Sequence, residues 1–171
     1  MGLCIVISCS NDDDANISEP DLTYDYIELL NGDFSNDFSS PTVLEFVVGK
    51  NFITASQGGG DIDYFTFTVP QNSVLSEIIV DDYQSSDSAG FIGIVASNAF
   101  STNAGDTQAG DLLGGTLYGK ATLGDDILPN MGVLTNATGF SGELPSGTYS
   151  IWLNQTGDTS TASFNFVVSK K

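Results

Sequence analysis

Tyr64-Phe65-Thr66-Phe67-Thr68-Val69 places Phe65, Phe67 and Val69 on one set of alternate positions and Tyr64, Thr66 and Thr68 on the other. A period of two is the pattern of a β-strand with one face turned to a core. Pro70 follows. Proline cannot donate to a strand ladder, so the strand is expected to end there. Near the other end of the chain, Ser163–Val168 repeats the pattern with Phe164, Phe166 and Val168.

Working outward, short apolar runs separated by Gly, Asn, Asp and Ser predict further strands at 43–48, 51–56, 74–80, 90–96, 115–119 and 148–154. Gly58-Gly59-Gly60, Pro145-Ser146-Gly147 and Gly157-Asp158 read as turns between them. Segment 90–96 is apolar on both sides and is expected at the centre of a sheet. No run holds a period of 3.6 over ten residues. The pattern predicts an all-β fold over residues 41–171, an antiparallel two-sheet sandwich of about eight strands with a jelly-roll-like arrangement. The stretches 97–114 and 124–142 read as loops, and loops of that length usually carry function or disorder.

The charge is lopsided. Twenty-two acids stand against four bases, with no histidine, for a net charge of −18. Such a surface repels phosphate backbones, which excludes nucleic acid as a partner, and it attracts divalent cations. Both cysteines, Cys4 and Cys9, fall in the first nine residues, so the body has neither a thiol nor a disulfide. Without histidine, arginine or a body cysteine, the usual catalytic triads and histidine metal centres cannot be built. Carboxylate pairs can hydrolyse glycosides, but the acids here sit mostly in turn-like Asp contexts. A non-catalytic protein is expected.

At the N-terminus the apolar run Leu3–Ile7 is followed by Ser8-Cys9 and then by Ser10-Asn11-Asp12-Asp13-Asp14. This resembles the lipobox of bacterial lipoproteins, in which the signal segment is removed and the cysteine is acylated. The acidic run resembles a surface-export signal of Gram-negative lipoproteins. The run is shorter than a full signal peptide and lacks a basic residue, so the true start is expected upstream of Met1. The resemblance implies residues 1–9 as a truncated signal segment, Cys9 as the lipidation site, and lipid anchoring at the outer membrane or cell surface. Two or three acyl chains anchor a protein stably. Residues 10–40 then read as an acidic flexible tether, with nine acids and no base. Within it Tyr24, Tyr26, Ile27, Leu29 and Leu30 form an apolar island that docks either as a first strand or as a short helix.

Asp61-Ile62-Asp63-Tyr64-Phe65-Thr66-Phe67-Thr68-Val69-Pro70, together with Pro145-Ser146-Gly147-Thr148-Tyr149-Ser150-Ile151-Trp152, resembles the bacterial pre-peptidase C-terminal (PPC) domain family. The resemblance spans roughly residues 41–168. It implies a jelly-roll-like sandwich, usually an accessory or binding module of secreted hydrolases, with calcium held near the start of the domain in related collagen-binding domains. No peptidase domain precedes the module in this chain, and the long stretches 97–114 and 124–142 depart from the minimal pattern.

Three candidate sites follow. Asp61 and Asp63, two apart at the mouth of a strand, suit a calcium site with Asp33, Asn36 and Asp37 as partners, since calcium takes six to eight oxygen ligands. The same aspartates also suit turn capping through backbone N–H groups. A second acidic loop holds Asp81, Asp82 and Asp87, either as metal ligands or as a solvated turn. Trp152, on a strand whose Tyr149, Ile151 and Leu153 point inward, is expected to face outward near Asn154, with Tyr83 as a further ligand-binding candidate. An outward tryptophan is either a platform for sugar or peptide or, more commonly, covered by a loop. These readings converge on a membrane-anchored, surface-displayed binding module for an extracellular polysaccharide or protein. A structural cell-envelope component and a hydrolase accessory domain are the alternatives.

Overall fold

The computed structural model describes residues 22–58, 60–134, 136–140 and 142–171. Cys9, the signal segment and residues 10–21 of the expected tether lie outside the described residues.

The fold is all-β and sandwich-like. Among the described residues its eight strands are β1 (Leu22–Ile27), β2 (Thr42–Leu44), β3 (Gly49–Gln57), β4 (Ile62–Ser85), β5 (Ala89–Val95), β6 (Gly114–Gly119), β7 (Leu144–Asn154) and β8 (Ser160–Lys170). Two four-residue helices, α1 (Glu28–Asn31) and α2 (Leu128–Met131), sit in the connections. No helix among the described residues is long and apolar enough to cross a membrane.

β4 organises the whole. Its first part, Ile62–Val69, pairs with β7, and its second part, Ser73–Ser85, pairs with β8, with Val74 and Leu75 still paired to β7 on the other side. The strand order is β1-β3-β8-β4-β7-β5-β6, with β2 added beside β4. Pro70 therefore does not end the strand as its sequence context predicts. It falls in the break of the β4–β7 ladder between Val69 and Val74, where no donor is required, and Asn72 takes a left-handed φ of 59° to re-aim the chain.

The inward faces then close on each other. Phe166 of β8 meets Phe65 and Phe67 of β4 with ring centroids 5.9 and 5.8 Å apart, although β8 pairs with the other half of that strand. Phe46 stacks on Phe67 at 4.2 Å. Such offset and edge-to-face ring pairs stabilise a core beyond the area they bury.

Several expectations need correction. The sheet is mixed, because β1 runs parallel to β3 and β2 parallel to β4. Parallel neighbours need long crossovers, and here the chain between β1 and β3 includes β2, while the chain between β2 and β4 includes β3. The sandwich also begins well before residue 41. The apolar island docks both ways, as β1 followed by α1, and Phe34 is buried against Tyr26 and Phe65 at 4.7 and 5.0 Å. Those aromatic rings draw residues 22–40 out of the expected tether and onto the core. Pro145-Ser146-Gly147 lies within β7, not in a turn, and residues 81–85 lie within β4, not in a loop.

Candidate functional site

Asp63 is in phase with Phe65, Phe67 and Val69, so the strand that carries these rings inward also carries a carboxyl group inward. The residue is 0% exposed, and neither carboxyl oxygen has a hydrogen-bond partner. It lies at the end of the sandwich where β3 finishes and β8 begins, since Gln57 is paired with Ser160 and Ile62 with Asn154.

Glu28 reaches the same place from α1. Its Oε1 accepts the Phe34 N–H at 3.0 Å and its Oε2 accepts the Ser56 N–H at 2.5 Å. The turn after it is held by the Gly32 N–H donating to the Glu28 carbonyl and by the Tyr26 hydroxyl donating to the Gly32 carbonyl. Gly32 adopts a φ of 104°, a conformation side chains resist, and this returns the chain so that Asp33 faces the cluster. One carboxylate oxygen each from Glu28, Asp33 and Asp63 lie within 4.8 Å of one another.

The electrostatics follow from burial and like charge. Burial, then the negative charges of Glu28, Asp61 and Asp33, push the Asp63 carboxyl up to about 9, and the Gln57 amide opposes this least of all. Gln57 Nε2 makes no hydrogen bond, while its Oε1 accepts the Tyr118 hydroxyl at 2.7 Å. Burial raises Glu28 to about 7, against the lowering effect of its bonds from Ser56 and Phe34. Asp61 is also raised, first by burial and then by Asp33. Three converging carboxylates, Glu28 and Asp63 buried and Asp33 exposed, either share protons or gather a hard cation.

Of the expected ligands, the structure brings Asp33 and Asp63 together, with Asp61 near enough to act on both. Asn36 instead caps the start of β4, its Oδ1 accepting the Ile62 N–H at 2.9 Å. Asp37 turns outward to accept the Ser39 N–H and hydroxyl, bonds that hold it below the usual carboxylate range. Glu28 escapes the motif reading, yet it is an acid inside the apolar island Tyr24–Leu30, and that misfit was its signal.

Asp81, Asp82 and Asp87 are not among the described acids whose carboxylate oxygens converge. Asp82 accepts from the Tyr83 N–H and the Gln84 amide. Asp87 Oδ2 accepts the Gln155 amide and the Asp158 N–H, both at 2.7 Å, and so ties the β4–β5 turn to the β7–β8 turn. Asp81 is raised by burial and drawn back by Lys50.

Trp152 is only 8% exposed and offers no platform. The segment after β5 folds across it, placing Phe100 at 6.5 Å, while Phe91 packs edge-on at 5.0 Å. Leu112, Val95 and Tyr64 complete this second apolar cluster. Tyr83 is buried with its hydroxyl donating to Gln155, and Asn154 is half-buried. These three expected ligand residues share no open surface.

An open concavity does lie beside the acidic corner. It measures 540 Å³ and is lined by Ser56, Gln84, Ser86, Thr159 and Thr161 among others, with hydroxyl or amide side chains at every lining position but Gly58. A smaller groove of 260 Å³ runs over Val43, Phe46, Thr66, Thr68, Asn98 and Thr148. Comparison with known protein families and with characterised proteins finds no match for this chain.

Proposed function

We propose that this chain is a non-catalytic binding module, held at the bacterial outer surface by lipid on Cys9, that engages an extracellular polysaccharide. The observation carrying the binding half is the 540 Å³ trough of Ser56, Gln84, Ser86, Thr159 and Thr161. Hydroxyl and amide groups match the donors and acceptors of a neutral sugar. A chain with a net charge of −18 would repel an anionic ligand, so an uncharged lining favours a neutral one. The anchoring half rests on the Ser8-Cys9 junction and the acidic run after it. A glycan array tests the binding half: signal on neutral glycans that falls at least about tenfold in a Gln84→Ala, Thr161→Val double variant supports it, a loss of roughly 1.4 kcal/mol. Signal unchanged by that variant, or no signal, removes it. Metabolic labelling with a fatty-acid analogue, lost on Cys9→Ala, tests the anchor.

A second reading, a structural component of the cell envelope, is favoured by one observation. The strand order leaves β1 and β6 at its two ends, and Leu22 and Leu117 on those strands are exposed. Exposed edges of this kind template pairing between copies. Sedimentation that grows with protein concentration, without a glycan signal, favours this reading.

A further inference from the structure

We propose that Glu28, Asp33 and Asp63 form a divalent-cation site, calcium by its donor chemistry, that fastens the N-terminal segment to the end of the sandwich. Two oxygens bound to one calcium at 2.3–2.6 Å lie no more than about 5 Å apart, and the three carboxylate oxygens here fall within 4.8 Å of one another. They come from three separate points of the fold: α1, the turn after Gly32, and the start of β4.

Asp63 sets this cluster apart from exposed acids, since it is 0% exposed with both oxygens unpartnered. A buried carboxylate without a partner is costly. The charged groups acting on Asp63 are Glu28, Asp61 and Asp33, all acids, so no basic side chain neutralises it. A divalent ion supplies the missing positive charge and the missing partner together.

The surroundings suit this role. The Phe34 and Ser56 N–H groups each occupy one lone pair of Glu28, which orients the carboxylate and leaves further lone pairs free. Water can complete a shell of six to eight oxygens, and Asp61 adds a further negative charge nearby. An oxygen-only donor set selects calcium or magnesium over zinc or copper. Magnesium demands near-octahedral geometry and retains its waters, which a buried carboxylate pair disfavours.

The test is a thermal melt of the full chain in EDTA, in millimolar calcium and in millimolar magnesium. Calcium at about 100 times its dissociation constant should raise the midpoint by roughly 5–10 °C. Asp63→Asn and Glu28→Gln should each abolish the shift, while Asp37→Asn should keep it. Asp63→Asn should also melt higher than the parent in EDTA, showing that it folds. Superimposed parent melts overturn the proposal, as does a calcium shift that survives in Asp63→Asn. An equal shift in magnesium overturns the assignment to calcium.

Discussion

Glu28 Oε2 accepts the backbone N–H of Ser56 at 2.5 Å, joining two residues 28 positions apart. Its other oxygen accepts the Phe34 N–H in a buried setting. One side chain thus satisfies a donor on β3 and a donor on the turn that delivers Phe34 to the core. Glu28→Ala leaves both donors without that acceptor. Of the two bonds only the one from Phe34 is buried, and a buried unpaired donor costs about 1–3 kcal/mol, so urea unfolding in EDTA should show a loss of roughly 1–3 kcal/mol. Glu28→Gln keeps one acceptor oxygen and should lose less than half as much. Equal losses for both variants would contradict the role of these bonds.

Gly49 permits β1 to lie parallel to β3. It is paired with Leu22, its φ is 131°, and an added Cβ would sit 2.1 Å from the Leu22 carbonyl oxygen. Gly49→Ala should therefore detach β1 while leaving the core intact. Hydrogen exchange would report this as lost protection for residues 23–27 with protection retained at Phe164 and Phe166. Retained protection in β1 would refute it.

Without metal, stability should fall as pH rises through neutrality. The folded chain raises Asp63 from 3.8 to about 9 and Glu28 from 4.5 to about 7, so between those limits it binds more protons than the unfolded chain. Asp61 is raised as well, with the same sign. The charged groups facing this corner are Glu28, Asp33, Asp61 and Asp63, so nothing of opposite charge reverses the trend. In EDTA the urea midpoint should be higher at pH 5 than at pH 8, and calcium should flatten the difference by competing with the protons. A midpoint in EDTA that rises with pH would disprove this.

Trp152→Ala should act on stability and not on a binding face. The indole is packed among Phe91, Phe100, Leu112 and Tyr64. Removing a buried ring of this size costs about 3–5 kcal/mol. Chemical denaturation of the variant should show that loss, and acrylamide should barely quench the folded parent's tryptophan fluorescence. Strong quenching with unchanged stability would restore an exposed tryptophan.

Phe65, Phe67 and Val69, and Phe164, Phe166 and Val168, announced their strands because alternation is a local property of the chain, and both sets are buried in the core. Asp63 was legible as an acid at a strand mouth, and its place two residues before Phe65 already put it in the inward phase. Pro70 misled because a missing donor ends a strand only if a partner needs that donor, and whether one does depends on which strand lies alongside. Asp81 and Asp82 misled for a related reason: polar residues mark a turn locally, but β4 runs on to Ser85 and β8 pairs with residues 82–85, while Asp87 does lie in the turn that follows.

What the sequence by itself determined is what period and charge decide: an all-β chain, strands centred on alternating Phe and Val, and a strongly acidic surface. Only the tertiary structure decided which residues meet. It placed Glu28 beside Asp63, 35 positions away, folded residues 22–40 into the sandwich, and laid Phe100 and Leu112 over Trp152. Periodicity acts between neighbours along the chain, and it says which way a side chain points. What the side chain finds there depends on long-range pairing and on the burial of aromatic surface, which no local pattern encodes.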